Sequence, residues 1–238
     1  GTWHRPGFRK KKVKQYASLA TLCDLIITIS ESTKKDFLRF VDFPENRVRV
    51  IHGGVESRFS PEHAAKKADL LAKYRIPERY VLFVGSLVPR KNIPGLISGY
   101  AASKARHDCA LVIAGEARDM DVKITEALRI GHVKDSVNFP GYIEDSDMPV
   151  LYAGAEAFLF PTFYEGFGLP ILEEMASGVP TVIGDSGSAP EVANGMAIVV
   201  DPADAGSIAN GIDLAVCADP VLRERDRAYA AGKTWKRC

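Results

Sequence analysis

The chain has 238 residues, 46% of them apolar and 26% charged, with a net charge of +1. That balance describes a globular protein with a sizeable core, and it leaves no global electrostatic case for nucleic acid. No apolar run approaches the ~20 residues that cross a bilayer, and the opening residues do not read as a signal peptide.

The first local feature is the basic run RKKKVK at Arg9–Lys14. It reads either as a solvated helix start or as a patch for anionic lipid. CDLIITIS (Cys23–Ser30) is strand-like, Ser30 or Ser32 can cap a helix through Phe40, and RVRVI (Arg47–Ile51) is another strand. A Gly-containing connection follows at His52–Pro61, and a boundary is placed there, dividing residues 1–52 from 53–238. About two strands and two helices are too little to close a sheet, so the front either pads the main domain or ends a domain that begins elsewhere.

Beyond the boundary, short apolar strands alternate with amphipathic segments. YVLFVG (Tyr80–Gly85) precedes a helix from Ile93 to about Lys104, with Leu96, Ile97 and Tyr100 at helical spacing. ALVIAG (Ala110–Gly115) precedes a helix from about Asp119 to Ile130, and VNFPGYI (Val137–Ile143) precedes one opening near Asp147. AFLFPT (Ala157–Thr162) leads into FYEGFGLPILEE (Phe163–Glu174) and its helix. TVIGDSGS (Thr181–Ser188), MAIVVDP (Met196–Pro202) and a helix near Ala205–Val216 complete the series. Strands rich in Val, Ile and Phe without polar alternation are covered on both faces, and their alternation with helices predicts a doubly wound, Rossmann-like parallel α/β sheet. Ligands of such sheets bind outside the carboxyl ends of the strands, so the chemically rich loops share one rim.

Two of those loops carry the candidate site. Pro170 suits a first helical turn, Gly178 and Pro180 end the helix, and Gly166, Phe167, Gly168 and Leu169 are delivered to its N-terminus. Backbone N–H groups and the positive dipole end favour an anion there, and the glycines allow close approach. Leu172, Met175, Ala176 and Val179 form one apolar stripe. At about 100° per residue, Glu173 falls on its flank and Glu174 opposite it, in water. Glu165 and Glu173 therefore face the crevice. The pair reads equally as a cap and a surface acid; an acid pair also suggests glycoside hydrolysis, but this one sits beside an anion-binding helix end. In GSLVPRKN (Gly85–Asn92), Arg90 and Lys91 read as surface charge or as a phosphate clamp.

Other chemistries find less support. Asp119–Asp121 and Asp145–Asp147 match Asp-x-Asp, yet both sit where helices begin, so N-capping explains them without a metal. The five histidines lack ligand spacing, and no Ser-His-Asp grouping appears. GSLVPRKN lacks the glycines of a Rossmann oxidoreductase fingerprint. The four cysteines (Cys23, Cys109, Cys217, Cys238) contain no Cys-x-x-Cys pair, which favours reduced thiols in a cytoplasmic protein.

The stretch from Leu151 to Pro202, with EGFGLP and the seven-residue spacing of Glu165 and Glu173, resembles the E-x7-E region of retaining GT-B glycosyltransferases of family GT4. ADLLAKYRIPERYVLFVGSLVPRKNIPGLI is similar to the opening of that family's nucleotide-sugar-binding domain, and residues 23–61 resemble the end of its first domain and the hinge. The resemblance implies that the chain is the C-terminal half of a GT-B fold preceded by a remnant of the acceptor domain. It implies a donor sugar or phosphate contact at Glu165, the ribose at Glu173, and sugar and diphosphate on the backbone of Gly166, Phe167, Gly168 and Leu169. Arg90 and Lys91 would neutralise the leaving diphosphate beside Gly85 and Ser86, and Tyr142 and Ile143 would lie against the base.

The same likeness implies transfer with retained configuration, no cofactor and no metal. GSLVPRKN with FYEGFGLP is most similar to mannosyl-transferring members, which makes GDP-mannose the first-choice donor, with a UDP-sugar as the alternative. The acceptor would be a glycan or lipid-linked glycan, and the location cytoplasmic, with room for peripheral contact at the inner membrane face. A nucleotide-sugar binding module without catalysis is the second reading. Three departures stand out: Ser86 replaces a frequent arginine, the hinge reads His52-Gly53-Gly54-Val55-Glu56 instead of Asn-Gly-Val-Asp, and the acceptor domain is represented only by its last elements.

Overall fold

The computed structural model describes residues 7–116 and 121–237. In chain order these form α1 (Phe8–Ala20), β1 (Ile26–Thr28), α2 (Glu31–Phe40), β2 (Val48–Val50), α3 (Lys67–Tyr74), β3 (Tyr80–Val84), α4 (Ile93–Ala102), β4 (Ala110–Ala114) and α5 (Val122–Gly131). Then come β5 (Val137–Gly141), α6 (Met148–Ala153), β6 (Ala157–Phe160), α7 (Leu169–Ala176), β7 (Thr181–Gly184), α8 (Ala189–Ala193), β8 (Ile198–Val200), α9 (Ala205–Val216) and α10 (Pro220–Ala231).

Strands β3 to β8 make one six-stranded parallel sheet in the order β5-β4-β3-β6-β7-β8. The α/β parallel architecture read from the apolar runs is the one observed. From Tyr80 to Phe83 and from Ala157 to Phe160 every strand residue is fully buried, because helices cover both faces. Helix α4 packs on α9 and α5, while α7 packs on α10, α6 and α8. The chain runs outward from β3 through β4 to β5, then returns to place β6 on the other side of β3, in the register Val81 to Ala157 and Leu82 to Phe158. That reversal sets the loops after β3 and β6 side by side, and it is where an open α/β sheet binds its ligand.

The front of the chain is a separate two-stranded parallel pair, with Ile26 opposite Val48 and Thr28 opposite Val50. Its strands are shorter than the apolar runs suggested, and Leu25, Ile27, Ile29 and Ile51 are exposed. The basic run lies on α1, where Lys10, Lys11 and Lys14 are solvated. No described helix is long and apolar enough to cross a membrane. After α10 the chain returns to the 52–61 connection: the Val55 N–H donates to the Lys233 carbonyl at 2.7 Å, and Val55 bridges Thr234. Gly54 permits this crossing, since a Cβ there would lie 2.3 Å from the Trp235 nitrogen.

Both Asp-x-Asp matches fall near helix starts, with different outcomes. Asp121 caps α5 by accepting from the Lys123 N–H at 2.9 Å, whereas Asp119 lies outside the described residues. Asp147 precedes α6 but its side chain does not cap it, contrary to the sequence reading. It accepts instead from Lys73 Nζ at 2.7 Å and from the Tyr74 hydroxyl at 2.8 Å, which hold its carboxyl below the ordinary range. A neighbouring helix supplied better donors than its own.

Candidate active site at the switch point

Strand β3 ends in Gly85, and the chain turns through Ser86 and Leu87 into a single 3-10 turn at Pro89–Lys91. Strand β6 ends at Phe160 and leads through Pro161 to the Gly168 cap of α7. Because β3 and β6 are neighbours, the two loops knit together: the Phe163 N–H donates to the Arg90 carbonyl at 2.9 Å, and Arg90 Nη1 to the Tyr164 carbonyl at 3.1 Å. Asn92 Nδ2 donates to the Pro161 and Pro202 carbonyls at 3.0 and 2.6 Å.

At the centre sits Glu165, 6% exposed. Arg90 Nη1 is 2.7 Å from its Oε2 and Lys91 Nζ is 2.9 Å from its Oε1. The Lys91 contact is ionic in character: its distance is short, but Oε1 lacks a partner of hydrogen-bond geometry. Lys91 is 7% exposed, with Nζ 4.3 Å from the centroid of the Phe160 ring, a cation–π placement. Burial lowers the Lys91 ammonium, and the Glu165 charge opposes that shift. Two cations against one carboxylate leave a positive charge at the rim.

Beside this trio opens the N-terminus of α7. Gly168 adopts φ +95°, and no side chain caps the helix. Pro170 has no N–H and the Ile171 N–H donates to the Gly168 carbonyl at 2.9 Å, which leaves the Gly168 and Leu169 N–H groups and the dipole for an anion. Gly166 contributes differently. A Cβ there would meet nothing closer than Thr33 Oγ1 at 3.8 Å, so the protein's own packing does not require glycine at this position. Phe167 is buried, and Leu169 is half-buried against the core.

Further along α7, Glu173 accepts from the buried Tyr152 hydroxyl at 2.9 Å. Burial raises the Glu173 carboxyl, while Tyr152 and nearby Arg58 work to lower it. Arg58 also donates to the Asp145 carbonyl at 2.7 Å, joining Glu173's surroundings to the loop after β5. In that loop Tyr142 is exposed, while Ile143 is 4% exposed and turns its side chain to the core. Glu165, Arg90, Lys91 and the loop 166–169 are thus brought together at one rim, with Glu173 held by Tyr152; the Arg58 guanidinium, bonded to the 142–145 loop at Asp145, acts on Glu173 through space by its charge.

Glu174 corrects the helical-wheel reading. It was expected in water and is fully buried, with neither carboxylate oxygen bonded to any described group. The wheel assumed one covered face. In the fold α7 is packed by α10, α6, α8 and β7 together, so Ile171, Leu172, Glu174, Met175 and Ala176 are all buried. Burial, then the neighbouring Glu173 charge, pushes its carboxyl well above the ordinary range. Sequence reasoning also missed Tyr152, whose only signal was an aromatic on the helix preceding β6.

Among the described residues, no group of three or more His, Cys, Asp or Glu side chains could hold a metal ion.

The fold is an open, doubly wound α/β domain whose switch point brings two cations beside a helix N-terminus, an arrangement suited to an anion. Comparison with known proteins narrows this. The chain belongs to the family "Glycosyl transferases group 1", whose pattern matches residues 50–235. It is 34% identical over 221 residues to O-antigen chain mannosyltransferase B of Escherichia coli, covering 90% of this chain and 58% of that one. It is 32% identical over 227 residues to a GDP-mannose-dependent alpha-(1-6)-phosphatidylinositol monomannoside mannosyltransferase of Mycobacterium tuberculosis, covering 89% and 57%. The chain thus spans little more than half of these relatives. Among solved structures, Anabaena HepE in complex with UDP and glucose superposes with a TM-score of 0.83 at 20% identity, over 95% of this chain and 64% of that one. That likeness carries the fold.

Proposed function

We propose that this chain is the donor-binding part of a hexosyltransferase that moves a sugar, mannose from GDP-mannose as first choice, to a glycan or lipid-linked acceptor with retention of configuration. The observation that carries the reading is the convergence of Arg90 and Lys91 with the uncapped N-terminus of α7. A leaving nucleoside diphosphate needs fixed positive charge where its own negative charge develops. The mannosyl transfer of the two relatives named above supports the choice of sugar. The UDP of the structural neighbour makes a UDP-sugar the competing donor.

In this reading Arg90 and Lys91 take the diphosphate from beside Gly85 and Ser86, without a metal or other cofactor. Glu165 contacts the sugar or its phosphate, the backbone of the 166–169 loop holds sugar and diphosphate, and Glu173 takes the ribose hydroxyls. The base rests on Tyr142 and the Ile143 backbone. The acceptor hydroxyl attacks from the leaving-group face, and the departing phosphate accepts its proton. The protein works in the cytoplasm, with peripheral contact at the inner membrane face as the alternative to a fully solvated α1.

Thermal-shift titration with GDP, UDP and ADP tests the reading. A nucleoside diphosphate should raise the melting temperature in a dose-dependent way. Arg90→Ala should cut that affinity about tenfold or more. No stabilisation by any nucleotide removes the proposal, and binding without donor turnover in the presence of acceptor glycans reduces it to a binding module.

A further inference from the structure

The loop that carries Glu165 is gripped from outside its own domain, and Glu191 ties that grip together. Ser30 caps α2 by accepting from the Thr33 N–H at 3.0 Å. The other first-turn donors go to one carboxylate on α8: the Glu31 N–H lies 2.8 Å from Glu191 Oε1 and the Ser32 N–H 3.1 Å from Oε2. Every N–H of that turn is then answered, and the positive end of α2 carries a negative charge. So held, the turn directs two hydroxyls at a single carbonyl. Ser30 Oγ donates to the Gly166 carbonyl at 2.7 Å and Thr33 Oγ1 at 3.0 Å. One turn further on, the Tyr164 hydroxyl donates to Asp36 Oδ2 at 2.5 Å.

The hinge closes the grip from the other side. His52 Nε2 is 2.7 Å from Glu191 Oε1, and its ring centroid is 5.8 Å from that of Phe167. Gly53 packs so tightly that a Cβ would lie 3.0 Å from the Phe167 ring and 3.1 Å from Leu169 Cδ2. Ser188, at the head of α8, donates its hydroxyl to the Glu165 and Phe167 carbonyls at 3.0 and 2.9 Å. Burial works to raise the Glu191 carboxyl, but the two backbone donors and His52 outweigh it and lower it, which keeps the carboxylate charged.

We propose that Glu191 is a positioning residue for the donor sugar: by capping α2 across the hinge and pairing with His52, it clamps Ser30 and Thr33 onto the Gly166 carbonyl and so fixes the loop bearing Glu165. This rests on the donor reading above, which gives the sugar to residues 165–169, where the same backbone only helps to hold the diphosphate, and gives the nucleotide its other anchors at Arg90, Lys91, Tyr142, Ile143 and Glu173. Glu191 touches none of the second group. Its loss therefore weakens a nucleotide sugar more than the bare nucleoside diphosphate, a split that general destabilisation does not produce.

The test is calorimetric titration of the whole chain and its Glu191→Ala, Glu191→Gln and Thr33→Val variants with GDP, UDP, GDP-mannose and UDP-glucose. Glu191→Ala should bind the diphosphate within about twofold of the parent and the matching nucleotide sugar about tenfold more weakly. Glu191→Gln, which keeps one acceptor oxygen, should lose about threefold, and Thr33→Val should share the direction of the split. Equal loss of both ligands, or no loss of either, overturns the proposal. Amide hydrogen exchange in the ligand-free protein separates this result from failure of the donor reading. Glu191→Ala should speed exchange at the Phe163 and Ser188 amides, which bond to the Arg90 and Glu165 carbonyls. Unchanged exchange at both amides overturns the clamp whatever the nucleotides do, whereas a parent protein that binds no nucleotide overturns the function on which it rests.

Discussion

Glu165 and Glu174 lie nine positions apart, both are buried, and their surroundings are opposite. Glu165 sits at the rim of the sheet between two cations, where β3 and β6 open their loops toward each other. Glu174 sits on the inward side of α7, among apolar residues and without a bonded partner. A buried carboxylate has two ways to exist: it keeps its charge against fixed cations, or it keeps its proton. The rim uses the first and the underside of α7 the second. Burial alone marks neither as functional; the partners do.

The largest effect should come from breaking the paired side. Glu165→Ala removes the counter-charge of Lys91, an ammonium that is itself 7% exposed, and leaves it buried and unanswered. Removing one partner of a buried ion pair costs about 3 to 5 kcal/mol. Urea denaturation of parent and variant measures this directly. A loss below about 1 kcal/mol would show that the trio behaves like a solvated surface pair, and the contrast with Glu174 would collapse.

Glu174→Met probes the other side, with the opposite sign. An apolar side chain of similar length removes an unsatisfied buried acid, for an expected gain of about 1 to 3 kcal/mol near neutral pH. The pH dependence is the sharper readout. Glu174 has a folded pKa raised above its value of 4.5 in the unfolded chain. Above pH 4.5 the unfolded chain releases this proton while the folded one retains it, so the parent loses stability as pH rises, by up to about 1.4 kcal/mol per pH unit. The variant has no such proton. Its advantage should therefore widen as pH rises above 4.5 toward the folded pKa; an advantage independent of pH would mean that Glu174 is ionised in the fold.

The same pair shows what the sequence could and could not convey. Unbroken runs such as YVLFV and AFLF stated that their strands are covered on both faces, and the loop order stated that the rich loops share a rim. Local pattern could not state that β6 returns beside β3, and without that return the pairing of Glu165 with Arg90 and Lys91 is invisible. Glu174 was misread for a related reason. Its surroundings depend on how many elements pack on α7, and one of them, α10, has the polar sequence PVLRERDRAYAA with only Asp226 and Ala230 buried. The remaining signal for that helix was its start, Asp219 before Pro220, where Asp219 accepts from the Leu222 N–H at 2.9 Å. The grip on Gly166 was equally hidden: Ser30 read only as a possible helix cap, and nothing local to Thr33 or Glu191 pointed to a contact across the chain.

The smallest effect should come from Tyr152→Phe, which touches the boundary between the two regimes. Glu173 is neither clamped by cations like Glu165 nor isolated like Glu174; it is raised by burial and held by the Tyr152 hydroxyl and Arg58. Phenylalanine keeps the ring contacts with Phe59 and Phe158 and loses one hydrogen bond, for an expected cost of about 0.5 to 1.5 kcal/mol. That bond is strongest to the charged carboxylate, so its loss raises the folded pKa of Glu173 further and leaves the unfolded value unchanged. The variant then falls away from the parent as pH rises through the parent's folded pKa, which lies above 4.5, and approaches it in acid, where Glu173 is protonated in both. Denaturation at pH 5 and pH 8 reads the difference. A deficit of the same size at both would mean that the hydroxyl does not bond the charged form, and that Glu173 shares the protonated state of its neighbour Glu174 instead of presenting a charge to the ribose.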